Sequence, residues 1–402
     1  MQQDYINRVQ LYLKQLCYEF GNRAVGSKGN RQATDLFSTV TKSFGFLTVS
    51  KEFDCLDWED GEVSIKSGND SFIAFASPYG MGIEYEGKLV EASSVDMLSS
   101  LDCTDKVLLL HGEITKEPLM PKHFVFYNPE EHQKIIALLE DKQPKAIIAA
   151  SGHCPELSGA VYPFPYIEDG DFDIPSVYMT EEEGSRLRMK AGQEVRIISS
   201  ARRFPAKGVY VRASKGKESA PRIVVSAHID AKKTTPGALD NAGGAAVLML
   251  LAEMLNKYEG KNRIELIPFN GEDYYGANSQ MIFLEENKDT LQSIMLNINL
   301  DGAGLIGERT GLALFNLPEN IQNAVKEIFH DEMLYAEIPP WYQGDHMVFA
   351  MQGIPAMAIS TEYIGKIMVD ITHTAKDIPE LIDPQVLVAI AQRIYDLIMA
   401  LS

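Results

Sequence analysis

The sequence has few cysteines and no long apolar run. Only four of its 402 residues are cysteine, and none stands in a C-x-x-C pair, which argues against a zinc ribbon and a disulfide-dense secreted scaffold. No stretch reaches the roughly 18 apolar residues that a membrane span requires. The start, Met-Gln-Gln-Asp, is unlike the basic and apolar start of a signal peptide. We therefore expect a reduced, cytoplasmic protein.

Positive charge is also in deficit. The chain has 37 lysines and arginines against 56 acids, a formal net charge of −19. Because phosphate groups bind basic surfaces, we expect no nucleic-acid partner and no binding to an anionic membrane. The 45% hydrophobic content is that of an ordinary globular protein. The length favours two or three domains, and nothing in the sequence indicates an oligomeric state.

The predicted elements change character along the chain. Two helices, at about 3–19 and ending near Gly45, precede strands at 46–53 and 62–66. From about 70 to 205, short β-rich runs alternate with turns rich in proline, aspartate and glycine. After about 208, strands and helices alternate, which indicates an α/β fold with a mostly parallel sheet flanked by helices. The strands there are 222–227, 264–269, 293–300 and 354–360, with helices at 242–255 and 274–284 and a last helix from Asp383-Pro384.

Each of these four strands is followed by a histidine or an acid. The residues concerned are His228 and Asp230, Glu272 and Asp273, Asp301, and His373. Singly, such residues are usually hydrogen-bonded or solvated loop residues, and Asp240 alone would be interpreted as a helix N-cap. However, the carboxyl ends of parallel strands meet in one crevice. Their convergence at one edge of the sheet therefore favours a metal site.

The number of candidate ligands favours two metal ions that share one ligand. Two histidines and three carboxylates are too few for two separate tetrahedral zinc sites. If Asp240 bridges, each of two metals about 3.5–4 Å apart receives a histidine, a terminal carboxylate, a shared aspartate oxygen and a shared water. Asp230 would then accept a hydrogen bond from the His228 imidazole and fix its orientation.

The same residues lie in an ordered set of motifs that spans nearly the whole chain. The motifs are NRAVGS (22–27), AHID (227–230), GALDNAGG (237–244), NGED (270–273) with Gly276, NLD (299–301), GDH (344–346) and HTAKD (373–377). This set resembles the co-catalytic di-zinc aminopeptidases related to glutamate carboxypeptidase. By that resemblance, residues 1–70 and 206–402 would form a discontinuous zinc-peptidase-like α/β/α catalytic domain. Residues 71–205 would be an inserted β-rich protease-associated domain.

The resemblance also implies a role for each site residue. His228 and Asp301 would hold one zinc ion, Asp273 and His373 the other, and Asp240, joined to Asn241 by a cis peptide bond, would lie between them. Glu272 would be the general base that takes a proton from the di-zinc-bound water and passes it to the leaving amine. Asp273 stands where many relatives carry glutamate, so cobalt or manganese stays open as the metal.

Two further residues near the motifs have open roles. Tyr342 is either a hydrogen-bond donor to the tetrahedral oxyanion or a packed aromatic. His346 is expected to support the site rather than to ligate metal.

The expected activity is that of a metal-dependent aminopeptidase that hydrolyses N-terminal residues from peptides. A carboxypeptidase or an aminoacyl cyclase could share the fold. A non-catalytic binding protein would usually lack a ligand, and all five are present here. Arg309, eight residues after Asp301, stays open as an arginine that could clamp a substrate's C-terminal carboxylate.

Overall fold

The computed structural model describes residues 2–125, 128–151 and 165–402, which divide into two compact units. The first unit joins Met1–Cys55 to Lys207–Ser402, and the second comprises Leu56–Ala206. The sequence placed the first boundary near residue 70. In the structure, Val63–Ser67 pairs with Glu194–Ser199 in the sheet of the second unit, so the boundary lies earlier. No helix of the described residues is long and apolar enough to cross a bilayer.

The strands are numbered here in chain order. They are β1 (Leu47–Glu59), β2 (Val63–Ser67), β3 (Asp70–Phe72), β4 (Phe75–Ala76), β5 (Ile83–Ala92), β6 (Val107–Leu110), β7 (Ala146–Ala150), β8 (Ser176–Met179), β9 (Glu194–Ser199), β10 (Arg202–Lys215), β11 (Arg222–His228), β12 (Arg263–Phe269), β13 (Ile294–Leu300), β14 (Thr310–Phe315), β15 (Tyr335–Glu337) and β16 (Ala356–Thr361).

The helices are numbered in the same way. They are α1 (Gln2–Lys14), α2 (Lys28–Ser43), α3 (Val95–Ser100), α4 (Glu130–Lys142), α5 (Glu181–Arg188), α6 (Gly243–Met254), α7 (Asn278–Asn287), α8 (Glu319–Ile328), α9 (Met347–Ala350), α10 (Ile364–Asp370) and α11 (Pro384–Ala400). A π-helical segment, Gln15–Glu19, directly follows α1. The segment Ala238–Ala242 directly precedes α6 and is a kinked turn, because Asp240 and Asn241 have non-helical φ and ψ angles.

The sheet of the first unit has the order β1-β10-β12-β11-β13-β16-β14-β15. Its four central strands, β12, β11, β13 and β16, are parallel, whereas β10 and β14 are antiparallel to their central neighbours. The predicted α/β class with a mostly parallel sheet is therefore confirmed. Because the central strands are parallel, their carboxyl ends lie along one edge of the sheet.

Helix α6 packs in the middle of the first unit's core. Its sequence, GGAAVLMLLAEM, is apolar on every face up to Glu253, and the residues from Gly243 to Ala252 are buried. Such a helix is stable only when it is covered all round, and apolar residues of α1 and α11 pack in the same core. A Cβ on Gly244 would lie 2.9 Å from the Ala227 Cβ, so glycine allows α6 to approach the end of β11 closely.

Several elements of the first unit differ from the sequence prediction. The helix predicted from 274 begins at Asn278, because Ala277 has a left-handed φ of 43° that interrupts helical geometry. The segment β14–α8–β15, strand β10 and the short helices α9 and α10 were not predicted.

The second unit has a mixed sheet of order β3-β2-β9-β5-β6-β7-β8-β4. Strands β5 to β8 are parallel, and the remaining pairs are antiparallel. Strand β7 is buried along its whole length, and Thr180 caps α5, because its hydroxyl accepts from the Glu183 N–H at 3.2 Å. Two apolar clusters form the core of this unit.

Candidate metal centre

His228 closes β11 with a buried imidazole. Its Nδ1 lies 3.1 Å from the backbone carbonyl oxygen of Asp230. Since a carbonyl oxygen can only accept, Nδ1 carries the hydrogen and donates. The other ring nitrogen, Nε2, is 2.9 Å from Asp240 Oδ1 and 3.5 Å from Asp301 Oδ1. The imidazole is thus fixed by backbone on one side and faces carboxylates on the other.

Asp230 acts differently from the sequence prediction. The imidazole is oriented by its backbone carbonyl, and its carboxylate oxygen is 3.8 Å from the ring Nδ1. The carboxylate instead accepts hydrogen bonds from the backbone N–H groups of Gly271 at 2.9 Å and Asp273 at 3.0 Å. Because those two amides flank Glu272, Asp230 fixes the turn that carries the proposed base.

Asp240 lies between the two histidines. Its Oδ1 faces His228, and its Oδ2 is 3.0 Å from His373 Nε2. His373 Nε2 is also 3.1 Å from Asp273 Oδ1. His373 has a left-handed φ of 62°. This backbone conformation costs of order 1 kcal/mol for a residue with a Cβ, and such strained residues are concentrated at functional sites. The two histidines therefore face opposite oxygens of one carboxylate.

The ligand atoms form overlapping groups that fit a two-metal centre. Three sets have ligand atoms that all lie within 4.8 Å of one another: His228 with Asp240 and Asp301, Asp240 with Asp273 and His373, and His228 with Glu272 and Asp273. The first two sets share Asp240. His228 Nε2 is buried and makes no hydrogen bond despite the nearby carboxylates. A buried ring nitrogen without a hydrogen-bond partner, surrounded by carboxylate oxygens, suits a divalent cation that takes nitrogen and oxygen ligands.

Asp273 offers one oxygen to the centre. Its Oδ2 accepts from the Lys232 backbone N–H at 3.2 Å, which leaves Oδ1 facing His373. The Lys232 ammonium donates to the Asp273 backbone carbonyl at 3.1 Å. Asp273 stands where many relatives carry the longer glutamate. Hydrogen bonds from Lys232 fix both its carboxylate and its backbone carbonyl.

The ionisable side chains of the centre shift one another's pKa values. Burial alone would lower the pKa of His228 and His373, but the surrounding carboxylates outweigh it and raise both well above the ordinary value. Burial alone would raise the pKa of Asp240, but the two adjacent histidines lower it. Burial and neighbouring acids raise the pKa of Glu272 well above its usual range. Without metal, His228, His373 and Glu272 therefore bind protons more tightly than the same groups do in water.

The turn before α6 completes the geometry at Asp240. The Asp240–Asn241 peptide bond is cis, as the resemblance implied, so that prediction is confirmed. The Asn241 side chain donates to the Leu300 carbonyl at 2.7 Å and accepts from the Gly244 N–H at 3.0 Å. The turn is thereby joined to the end of β13, next to Asp301.

Several supporting residues were not assigned from the sequence. Asn30 and Asn270 exchange reciprocal amide hydrogen bonds at 2.7 and 3.0 Å, which join α2 to the end of β12. Gln280 donates to Asp345 at 2.7 Å. Arg23 and Asp377 contact the loop that precedes Asp240. All except Gln280 lie within or beside the quoted motifs, but a motif does not reveal which backbone group a side chain holds.

Tyr342 and His346 are placed differently from the ligands. The Tyr342 side chain packs edge-on against Phe315, with 66% of the residue exposed. Its role as an oxyanion donor stays a prediction. His346 is buried and donates from Nε2 to the Trp341 carbonyl at 2.9 Å, and burial lowers its pKa to about 4. His346 belongs to none of the three ligand sets.

Arg309 is already paired. Its Nε and Nη2 donate to the two carboxylate oxygens of Glu362 at 2.8 and 2.6 Å, and its Nη1 donates to the Glu332 carbonyl at 2.8 Å. This bidentate geometry is the one that a guanidinium would need for a substrate carboxylate. The fork of Arg309 is therefore occupied by the protein itself.

Residues 209–398 match a family model described as Peptidase family M28. Among curated proteins, the chain is 23% identical over 286 residues to the Probable lipoprotein aminopeptidase LpqL of Mycobacterium tuberculosis, covering 70% of this chain and 55% of that one. It is 24% identical over 165 residues to Aminopeptidase YwaD of Bacillus subtilis, covering 40% of this chain and 36% of that one. The aligned regions span about half or less of these curated relatives.

Solved structures with a similar fold extend over nearly the whole chain. An aminopeptidase from Aneurinibacillus sp. strain AM-1 has a TM-score of 0.76 at 17% identity, covering 99% of this chain and 93% of that one. BSAP, a zinc aminopeptidase from Bacillus subtilis, has a TM-score of 0.74 at 16% identity, covering 98% and 94%. The chain therefore has the fold of these structures.

Proposed function

Residues 209–398 belong to peptidase family M28, and on this premise we propose that the protein is a zinc-dependent aminopeptidase. The observation that carries the proposal is the position of Asp240. Its two carboxylate oxygens face two histidines, and a further aspartate lies beside each histidine and completes a set of three ligands. Metal-dependent hydrolysis needs such a set of nitrogen and oxygen ligands with space for water.

The proposed centre holds two zinc ions. His228 and Asp301 would bind one ion, Asp273 and His373 the other, and Asp240 would contribute one oxygen to each. Zinc bound there would act as a Lewis acid, lowering the pKa of a coordinated water towards about 7 and polarising the scissile carbonyl. The residues of the chain hold the ions, orient the substrate and move the proton.

Glu272 is the proposed general base. Its carboxylate lies with His228 and Asp273 in the third ligand set, beside the metal ligands but outside the two sets that share Asp240. It would accept a proton from the water that attacks the peptide carbonyl carbon. It would then give that proton to the amine nitrogen as the C–N bond breaks. Asp230 supports this role by holding the amides on both sides of Glu272.

The charges around the centre favour recognition of a free amino terminus. A protonated α-amine is attracted to a carboxylate-rich site, whereas a C-terminal carboxylate needs a cationic partner. Arg309 was the candidate for such a partner, and its fork is bound to Glu362. This pairing supports an aminopeptidase over a carboxypeptidase.

The assignment of Leu56–Ala206 as a protease-associated domain is part of the proposal. Its support is the likeness to aminopeptidase structures, which extends over 99% of this chain. A cytoplasmic location stays a prediction, and one relative is named a lipoprotein.

Metal analysis and product analysis together test the function. We expect about two zinc ions per chain, activity that a chelator removes and added zinc restores, and shortening of unblocked peptides from the amino end. N-acetylation of the same peptides should abolish cleavage, and mass spectrometry identifies which end shortens. Release of C-terminal residues from acetylated peptides would indicate a carboxypeptidase. Loss of ammonia from an N-terminal glutamine without chain shortening would indicate a cyclase.

A further inference from the structure

Arg23 is a buried arginine outside the ligand set, with only 1% of its surface exposed. Its Nε donates to the backbone carbonyl of Ile229 at 3.2 Å, Nη1 to that of Pro236 at 2.7 Å, and Nη2 to that of Gly237 at 2.8 Å. A fourth hydrogen bond, from Nη1 to the Leu16 carbonyl at 2.8 Å, anchors the side chain to the π-helical segment after α1. The guanidinium thus holds both ends of the loop that joins the first histidine of the centre to the shared aspartate.

Asp377 holds the other side of the same loop. Its fully buried carboxylate accepts from the backbone N–H groups of Leu239 at 2.7 Å and Asp240 at 3.1 Å. Its backbone carbonyl accepts from the Ala238 N–H at 3.2 Å. Asp377 follows His373 by four residues, so this contact also joins the loops that carry two ligands.

We propose that Arg23 and Asp377 are positioning residues that fix Asp240 between the two histidines and thereby set the affinity of the centre for zinc. Arg23 fixes carbonyl groups of the loop, and Asp377 fixes the amide groups that follow. This inference rests on the proposed metal-dependent function. Residues that orient metal ligands typically change metal affinity by about 10- to 100-fold when they are replaced.

The packing around Gly237 shows that the loop has little freedom beside Arg23. Gly237 has a φ of 60°, and a Cβ there would lie 2.8 Å from Arg23 Nη2 and 2.6 Å from the Asp240 carbonyl oxygen. The Asp240 carboxylate oxygens lie 2.9 and 3.0 Å from the two histidines. A ligand must be held to within about 0.5 Å to keep such geometry. A change at Arg23 therefore acts directly on the position of Asp240.

Arg23→Lys is the decisive variant. Lysine keeps the positive charge but replaces the planar, five-donor fork with one ammonium group, which cannot reach all four carbonyls. Arg222→Lys is the matched control, since Arg222 is also buried and donates to Asn287, Ser293 and Thr290. Arg222 begins β11, at the opposite end of the strand from His228.

The experiment measures zinc affinity and stability separately. Zinc dissociation constants come from competition with a chromogenic chelator, and urea unfolding of the chelated proteins gives stability. We expect both variants to be less stable than the wild type. Only Arg23→Lys should weaken zinc binding, by about 10- to 100-fold. Unchanged zinc affinity in Arg23→Lys, or equal weakening in Arg222→Lys, would overturn the proposal.

A second variant covers the case in which Arg23→Lys does not fold. Asp377→Asn keeps one acceptor oxygen for the loop amides and loses the other. We expect it to weaken zinc binding at least about tenfold, and unchanged affinity would overturn the positioning role. Wild-type protein that binds no zinc would instead contradict the proposed function, so the two failures are distinguishable.

Discussion

Replacing Asp345 by asparagine should stabilise the metal-free protein in alkaline solution. The Asp345 carboxylate is buried, its Oδ1 accepts from Gln280, and its Oδ2 has no hydrogen-bond partner. Burial, together with the charges of Asp230 and Asp301, raises its pKa from 3.8 to about 7. The folded state therefore binds this proton more tightly than the unfolded state does.

The sign of the pH dependence follows from that shift. A carboxyl whose folded pKa is raised contributes stability that is complete below about pH 4 and is lost as the pH rises through about 7. One pKa unit corresponds to 1.36 kcal/mol. Between about pH 5 and pH 8.5, ionisation of Asp345 should thus cost the wild type about 3 kcal/mol of unfolding free energy. Asp345→Asn, which cannot ionise, should not show that part of the loss.

The assay is urea unfolding with chelator at both pH values. Trp341 lies beside His346 in the first unit, so its fluorescence reports on that unit once Trp58 is replaced by phenylalanine. Exposed Asp289→Asn is the control, because the charge there is solvated. If the difference in unfolding free energy between Asp345→Asn and the wild type is the same at both pH values, the reasoning is refuted.

Three further predictions concern the centre itself. Glu272→Gln should keep its zinc content but lower turnover at least about 10²-fold, as loss of a general base does. Elemental analysis and steady-state kinetics check this, and near-normal turnover would show that another residue is the base. Zinc binding near neutral pH should release protons, because the pKa values of His228 and His373 are raised in the metal-free protein. The affinity for zinc should therefore fall as the pH falls, and calorimetry in buffers of different ionisation enthalpy counts the released protons. Among variants lacking the His373 imidazole, His373→Gly should be more stable than His373→Ala by about 1 kcal/mol, because φ there is 62°; urea unfolding in which alanine is the more stable would contradict this.

The sequence was sufficient to predict those parts of the fold and of the site that follow from the local alternation of strands and helices. Alternating strands and helices predicted the parallel sheet, and the parallel sheet predicted that residues after β11, β12, β13 and β16 would meet. In the structure, His228 and Asp301 form one ligand set with Asp240, and Asp273 and His373 form another with Asp240.

Contacts between distant segments were not accessible in this way. The hydrogen bonds from Arg23 to Pro236 and Gly237 connect residues more than two hundred positions apart. The carbonyl of Asp230, rather than its carboxylate, orients His228, because backbone geometry at the end of β11 decides which oxygen faces the ring. The start of α7 depends on the left-handed Ala277, which helical periodicity does not reveal.

The division of the chain has a consequence for folding during synthesis. The second unit is contiguous, so every strand of its sheet has been translated by residue 206. The first unit has by then only α1, α2, its edge strand β1 and the start of β10, and it lacks the central strands and α6. Domains generally fold as units while the chain is made. Leu56–Ala206 can therefore fold on the ribosome first, whereas the apolar helix α6 emerges before its partner α11 and needs protection from aggregation until that helix arrives.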